Sequence, residues 1–201
     1  MTVSVLDTNL NNVGSVVAMI ESIGAEARVI QSAEEIINAE KLVLPGIGKF
    51  NSLVKNLNNY DLWNALEAYL ETKRPYLGIC LGMQVLTSGS SEGAVQGFGL
   101  YQNSCVDLSS LTQEPVPHIG WNKVVPHKDS RLLKNLEQNK FYFMHSFAIT
   151  DCDENYISSF TEYGTKFVSV FENGNHFGTQ FHPERSHVYG KQIFSNFMEI
   201  L

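Results

Sequence analysis

The sequence predicts an α/β fold of three layers: a mostly parallel central sheet with helices on both faces, followed by an antiparallel β-rich C-terminal half, all within a single domain spanning 1–201. Three observations carry this. Apolar runs alternate with amphipathic helical stripes over roughly the first 80 residues. Beyond Gly97 the helical period disappears and short β-rich pieces separated by turn signals replace it. No linker, internal repeat or low-complexity segment divides the chain, and 201 residues with 43% hydrophobic content suffice for one substantial core.

Taken in order, Val3 to Asp7 reads as a first central strand. Val13, Val16, Val17 and Ile20 then recur at helical spacing up to a stop at Gly24. Ala27 to Ile30 is a second strand, Ala33 to Ala39 a short helix, and Lys41 to Leu44 a third strand predicted to end at Pro45. After the loop Pro45-Gly46-Ile47-Gly48 the next predicted helix is Asp61 to Thr72, with Leu62, Leu66, Tyr69 and Leu70 on one stripe. A buried strand then ends at Cys80 and runs into a helix. Strands alternating with helices in this way favour a parallel sheet covered on both faces. The later half offers strands at Gly99–Val106, Gly120–Val125, Phe141–Met144, Tyr156–Glu162 and Phe167–Glu172, a turn at Asn173-Gly174-Asn175 and a further strand at Phe177–Gln180. A terminal helix over His187–Leu201 turns Ile193, Phe194, Phe197 and Leu201 inward.

Composition narrows the function. A net charge of -7 without a basic cluster disfavours nucleic acid and anionic membrane, which leaves a small polar ligand. Met1 to Asp7 lacks the basic lead and apolar run of a signal peptide, and no apolar stretch approaches the roughly 18 residues of a membrane helix. A cytoplasmic location is expected. Cys80, Cys105 and Cys152 are odd in number and lack C-x-x-C spacing, which argues against disulfides and zinc ribbons. His127, His176 and His187 show no metal-ligand spacing, so neither metal nor cofactor is expected.

The chemistry centres on Gly78-Ile79-Cys80-Leu81-Gly82, a nucleophile elbow with sulfur in place of oxygen. Glycines two positions before and after the nucleophile fit because side chains there would strike neighbouring backbone. A helix start favours thiolate, and the Leu81 N–H lies where an oxyanion would form. Read alone, the segment also admits the lesser alternative of a buried structural cysteine between turn glycines. Phe181-His182-Pro183-Glu184 supplies a general base and its orienting acid; in extended backbone, residues two apart point to the same side, which would bring His182 and Glu184 together. Alone, it is a common surface turn. Ile47, in the glycine loop, is the second candidate oxyanion donor, against the reading of an ordinary strand-to-helix turn. His145-Ser146-Phe147 could border a pocket or close a strand structurally, Pro117 to Asn122 could form a partner surface or a packed corner, and Cys105 and Cys152 read as small hydrophobes.

With these segments together, the chain resembles the class I (triad) glutamine amidotransferases along essentially its whole length. Pro45-Gly46-Ile47-Gly48, Leu77 to Gln84 and Gly178 to Arg185 carry the likeness to the family. Pro117 to Asn122 and Phe141 to Ser146 resemble in particular the glutaminase subunits that serve imidazole glycerol phosphate synthases. The resemblance implies Cys80 as nucleophile, His182 as base and Glu184 as its orienter. It implies Gly46, Gly48, Gln84, Glu92, Ser146 and Phe147 around the substrate L-glutamine, with Glu92 for the α-amino group. It also implies a heterodimeric partner, a (β/α)8-barrel synthase that receives ammonia through a channel and forms imidazole glycerol phosphate and an aminoimidazole carboxamide ribotide in histidine biosynthesis. Two departures stand out. Asp7-Thr8-Asn9-Leu10-Asn11-Asn12 lacks the family's glycine, and Phe147 stands where tyrosine is frequent. The alternatives are a related subunit supplying ammonia for amidation of a bacterial surface sugar, a free-standing cysteine amidohydrolase, and a non-catalytic binding subunit.

Overall fold

A computed structural model describes residues 2–10 and 13–200; Asn11, Asn12 and the inward Leu201 expected from sequence lie outside these. The first half alternates strands with helices: β1 (Thr2–Leu6), α1 (Val13–Glu21), β2 (Glu26–Ile30), α2 (Ala33–Asn38), β3 (Leu42–Gly46), α3 (Phe50–Asn59), α4 (Leu62–Glu71) and β4 (Tyr76–Cys80). A single helical turn, α5 (Leu81–Gln84), follows the elbow, and then β5 (Thr87–Ser90) and β6 (Tyr101–Asp107). The remainder comprises β7 (His118–Lys123), β8 (Val125–Pro126), β9 (Lys140–His145), β10 (Phe147–Ala148), β11 (Ile157–Glu162), β12 (Lys166–Asn173), β13 (His176–Thr179) and α6 (His187–Met198).

Among the described residues, one eight-stranded sheet runs in the order β2-β1-β3-β4-β13-β12-β11-β8. β2, β1, β3, β4 and β13 are mutually parallel, and the strands beyond β13 are antiparallel. The C-terminal half therefore extends the first sheet, and its last strand lies beside β4 at the centre. β10-β6-β5 and β7-β9 form two smaller sheets.

Side-chain alternation along the strands builds two cores. Leu6, Leu42, Leu44 and Tyr76 pack on one face with Ile36, Leu53 and Leu66 from α2, α3 and α4. Val3, Val5, Val43, Leu77 and Ile79 pack on the other with Val16 and Ile20 from α1 and Ile193, Phe194 and Phe197 from α6. β3 and β4 are buried throughout, as strands covered on both faces must be. Ser32 caps α2 in a reciprocal box with Glu35, which fixes where that helix begins.

Three sequence expectations require correction. β3 does not stop at Pro45: the strand continues, pairing Pro45 with Ile79 and Gly46 with Cys80. α3 falls where no helix was expected. Its Asn51, Asn56, Asn58 and Asn59 weaken helix propensity, while Phe50, Leu53, Val54 and Leu57, spaced i, i+3, i+4 and i+7, bury the face that holds it. The helix after the elbow is only four residues long, because β5 begins at Thr87 and claims the following chain.

Candidate active site

Three adjacent parallel strands, β3, β4 and β13, end at one edge of the sheet, where open α/β sheets place their ligand sites. Cys80 closes β4 with φ 54° and ψ -106°, a strained conformation for a residue with a Cβ, and it is 5% exposed. The elbow glycines are required sterically. A Cβ on Gly78 would lie 2.2 Å from the Gly82 carbonyl oxygen, and one on Gly82 would lie 1.9 Å from the Leu44 carbonyl oxygen. Gly82→Ala should therefore destabilise the fold by about 3 kcal/mol, the upper end for overpacking. Gly174→Ala, in a left-handed turn with open space around it, should cost about 1 kcal/mol. Thermal or denaturant unfolding of the two variants reads the difference, and equal losses would mean that close backbone approach is not what selects Gly82.

On one side of Cys80, register with Gly46 places Ile47 immediately past the strand end, in the loop leading to α3. The Glu92 carboxylate reaches the same corner, where Oε2 accepts the Phe50 N–H at 2.6 Å, so Gly46, Ile47, Gly48 and Glu92 converge. On the other side, Thr179 pairs with Ile79, and the residues that follow run along the elbow. Gln180 donates from Nε2 to the Cys80 sulfur at 3.6 Å, and its Oε1 accepts from Gln84 Nε2 at 2.9 Å. Gln84 Nε2 also donates to the Phe147 carbonyl at 2.9 Å, which draws Ser146 and Phe147 into the group. Both amide protons of Gln84 are thereby committed.

His182 Nδ1 and Glu184 Oε1 are 2.7 Å apart, with side chains 1% and 7% exposed. The expected reason for this meeting was wrong. Pro183 to Arg185 form a 3₁₀ turn, not an extended loop, and it is the turn that folds Glu184 back onto the imidazole. The turn is held by the His182 N–H on the Tyr142 carbonyl and by Ser186 Oγ, which donates to the His182 carbonyl and accepts from the Tyr142 N–H. His182 Nε2 is buried without a hydrogen bond of good geometry, yet it senses the sulfur. Burial opposes charge on the ring, but the negative charges of Cys80 and Glu184 outweigh it and hold the imidazole above its ordinary range. The one-turn α5 has little dipole, so anion stabilisation at Cys80 falls to His182, Gln180 and local N–H groups rather than to a helix terminus.

The family model for class-I glutamine amidotransferases matches residues 4–201. The chain belongs to that family. It is 39% identical over 199 residues to imidazole glycerol phosphate synthase subunit HisH 2 of Pseudomonas aeruginosa, covering 98% of each chain. It is 37% identical to the chloroplastic imidazole glycerol phosphate synthase hisHF of Arabidopsis thaliana, covering 98% of this chain and 34% of that one. A solved glutamine amidotransferase superposes with a TM-score of 0.77 at 16% identity, covering 98% of this chain and 97% of that one, which shows the shared fold.

In this amidotransferase Cys80 lies beside His182, which is paired with Glu184; Gly46 is in register with Cys80, Gln84 is bonded to Phe147, and Glu92 is bonded at the start of α3. Gln180 was missed. It stands inside a recognised segment, but a glutamine between a threonine and a phenylalanine carries no signal until the register of β13 against β4 places it beside the sulfur. Among the described residues, no group of three or more His, Cys, Asp or Glu is placed to hold a metal ion, and no helix is long and apolar enough to cross a membrane. A surface cavity of about 480 Å³ that includes Arg131 and Glu172 shares no residue with the site. Arg131 there is already bonded to Glu172 and Asn175.

Proposed function

We propose that this chain is the glutaminase subunit of an imidazole glycerol phosphate synthase: it hydrolyses L-glutamine to glutamate and ammonia and delivers the ammonia to a (β/α)8-barrel synthase subunit in histidine biosynthesis. The observation that carries the chemistry is the convergence of Cys80, at a strained strand end, with a buried His182–Glu184 pair from the neighbouring strand end. The pathway rests on full-length similarity to subunits of that synthase.

The Cys80 thiolate attacks the side-chain amide carbon of glutamine. The oxyanion forms against the N–H groups of Leu81 and Ile47, and His182 protonates the departing nitrogen, releasing ammonia and leaving a γ-glutamyl thioester. His182, now neutral, takes a proton from water, whose oxygen attacks the thioester carbon. Glutamate leaves, and the thiolate and imidazolium are restored. Glu184 holds Nδ1 protonated throughout.

Around the site, Ile119 (57% exposed), Trp121 (39%) and Val188 (65%) present apolar surface. Trp121 stacks on His187, just past the turn bearing His182 and Glu184. An apolar face beside the ammonia-releasing residues suits a partner that takes up ammonia without letting it reach water. The first sequence departure is absorbed locally: Asn9 adopts φ 59°, the left-handed backbone a glycine would provide, and its N–H bonds Asp7 Oδ1 at 2.8 Å.

The test is co-purification with the barrel synthase, followed by assay with glutamine and with ammonium salt. The expected outcome is weak glutaminase activity for the chain alone, activity raised at least about 100-fold when the synthase is present and occupied, and product formed from either nitrogen source. That factor is the loss expected when one oxyanion donor is out of place. Equal glutamine turnover with and without the partner would favour a free-standing amidohydrolase.

A further inference from the structure

We infer that Gln180 is a positioning residue for the nucleophile, donating a hydrogen bond to the Cys80 sulfur from an amide whose orientation is dictated by Gln84. The inference rests on Cys80 being the nucleophile, as proposed above. A glutamine amide can present either its oxygen or its nitrogen, and only the nitrogen favours a thiolate. Here the surrounding bonds leave no choice. Gln84 Nε2 must face the Phe147 carbonyl, which can only accept. The second proton on that nitrogen points to Gln180, so the Gln180 atom that meets it is Oε1, and Nε2 is turned to the sulfur at 3.6 Å. Gln180 is fully buried and its backbone N–H is held by the Ser169 carbonyl at 2.9 Å, so the side chain has no solvent alternative.

The Phe147 carbonyl that anchors this chain is itself fixed from the opposite direction. His145 Nδ1 lies 2.9 Å from it, His145 Nε2 lies 3.0 Å from His118 Nδ1, and His118 Nε2 lies 3.3 Å from Asn122 Nδ2. Because the carbonyl only accepts and the Asn122 nitrogen only donates, each ring carries its proton on Nδ1, and donation runs from Asn122 through both rings to Phe147. Burial pushes His118 to about 4 and His145 to about 3, so both rings stay neutral and this order is preserved. His145 and Gln84 therefore both donate to one carbonyl, and the second proton of Gln84 starts a chain of donation through Gln180 to the sulfur.

The titratable groups that act on the sulfur are His182, with Glu184 behind it, from the 3₁₀ turn, and Cys105 from β6. Gln180 is the uncharged donor among them, so its effect separates from theirs by substitution. The measurement is the rate of Cys80 alkylation by iodoacetamide against pH, read on the Cys80 peptide by mass spectrometry, beside kcat and KM for glutamine in the synthase complex. Gln180→Met keeps the length of the side chain but removes the donor. It should move the alkylation midpoint upward by about one pH unit and lower kcat about tenfold, with KM changed less than about threefold. Gln180→Glu keeps the shape, still accepts from Gln84 and places a negative charge beside the sulfur, so its midpoint should lie higher still. The order wild type, Met, Glu is the expected result, with the melting temperature of Gln180→Glu confirming a folded chain. Coincident alkylation profiles for all three would overturn the positioning role, while a fully active Cys80→Ser enzyme would overturn the nucleophile assignment beneath it.

Discussion

Replacing Cys80 by serine should lower glutamine-dependent synthesis at least about 10⁴-fold and leave ammonium-dependent synthesis by the complex within about twofold. The separation follows from where the residue sits. Serine is as small as cysteine and can occupy the same φ 54° elbow, and Gly78, Gly82 and the register with β3 are untouched, so the fold and the partner face survive. The reaction is lost because the mechanism begins from an anion that the site is arranged to hold. The Gln180 amide and the positively charged His182 ring both favour a negative sulfur, whereas a hydroxyl ionises far less readily. The ring would also have to become neutral before it could act as base on the serine, against the Glu184 carboxylate that favours its charge. Loss of both activities in parallel would mean that Cys80 supports the assembly and not the chemistry. Retention of both would make the chain a non-catalytic subunit.

How much of this was legible beforehand depended on the reach of each signal. The alternation of β1 to β4 with helices could be read because each element carries its own period. The elbow could be read because close approach of backbone leaves only glycine at two fixed offsets, and the Gly82 contact with Leu44 shows the constraint at work. What failed was non-local. α3 is helical because Phe50, Leu53, Val54 and Leu57 have a core to enter, and that core comes from elements distant in sequence. Pro45 reads as a stop, yet it continues the strand in register beside β4. The meeting of His182 with Glu184 was anticipated for the wrong reason: alternation along an extended loop and a 3₁₀ turn bring together the same two residues, and the sequence does not distinguish them. Gln180 and the His118–His145 pair gain meaning only from pairings between strands far apart in the chain, β13 with β4 and β7 with β9.

The second large effect is expected at Glu184. Glu184→Gln preserves shape and can still offer an oxygen to His182 Nδ1, but it removes the charge 2.7 Å from the ring. Burial alone would strip the imidazole of its extra proton, and the charges of Cys80 and Glu184, together with hydrogen bonding to them, oppose this. Loss of one of them lowers the proton affinity of the ring and lets the amide present its N–H to Nδ1, which would favour the unproductive tautomer. We therefore expect kcat to fall about 10³-fold with little change in KM, as for loss of the orienting acid in other triads. The sign of the pH effect is also fixed. Release of ammonia needs a protonated His182, so the alkaline limb of kcat reports loss of that proton, and removing a negative neighbour must move this limb toward lower pH. Glu184→Asp keeps the charge on an arm shorter by one methylene and should recover part of the rate with the limb close to its original place. If Glu184→Gln instead leaves both kcat and the alkaline limb unchanged, the carboxylate merely braces the turn, and His182 draws its charge from the sulfur alone.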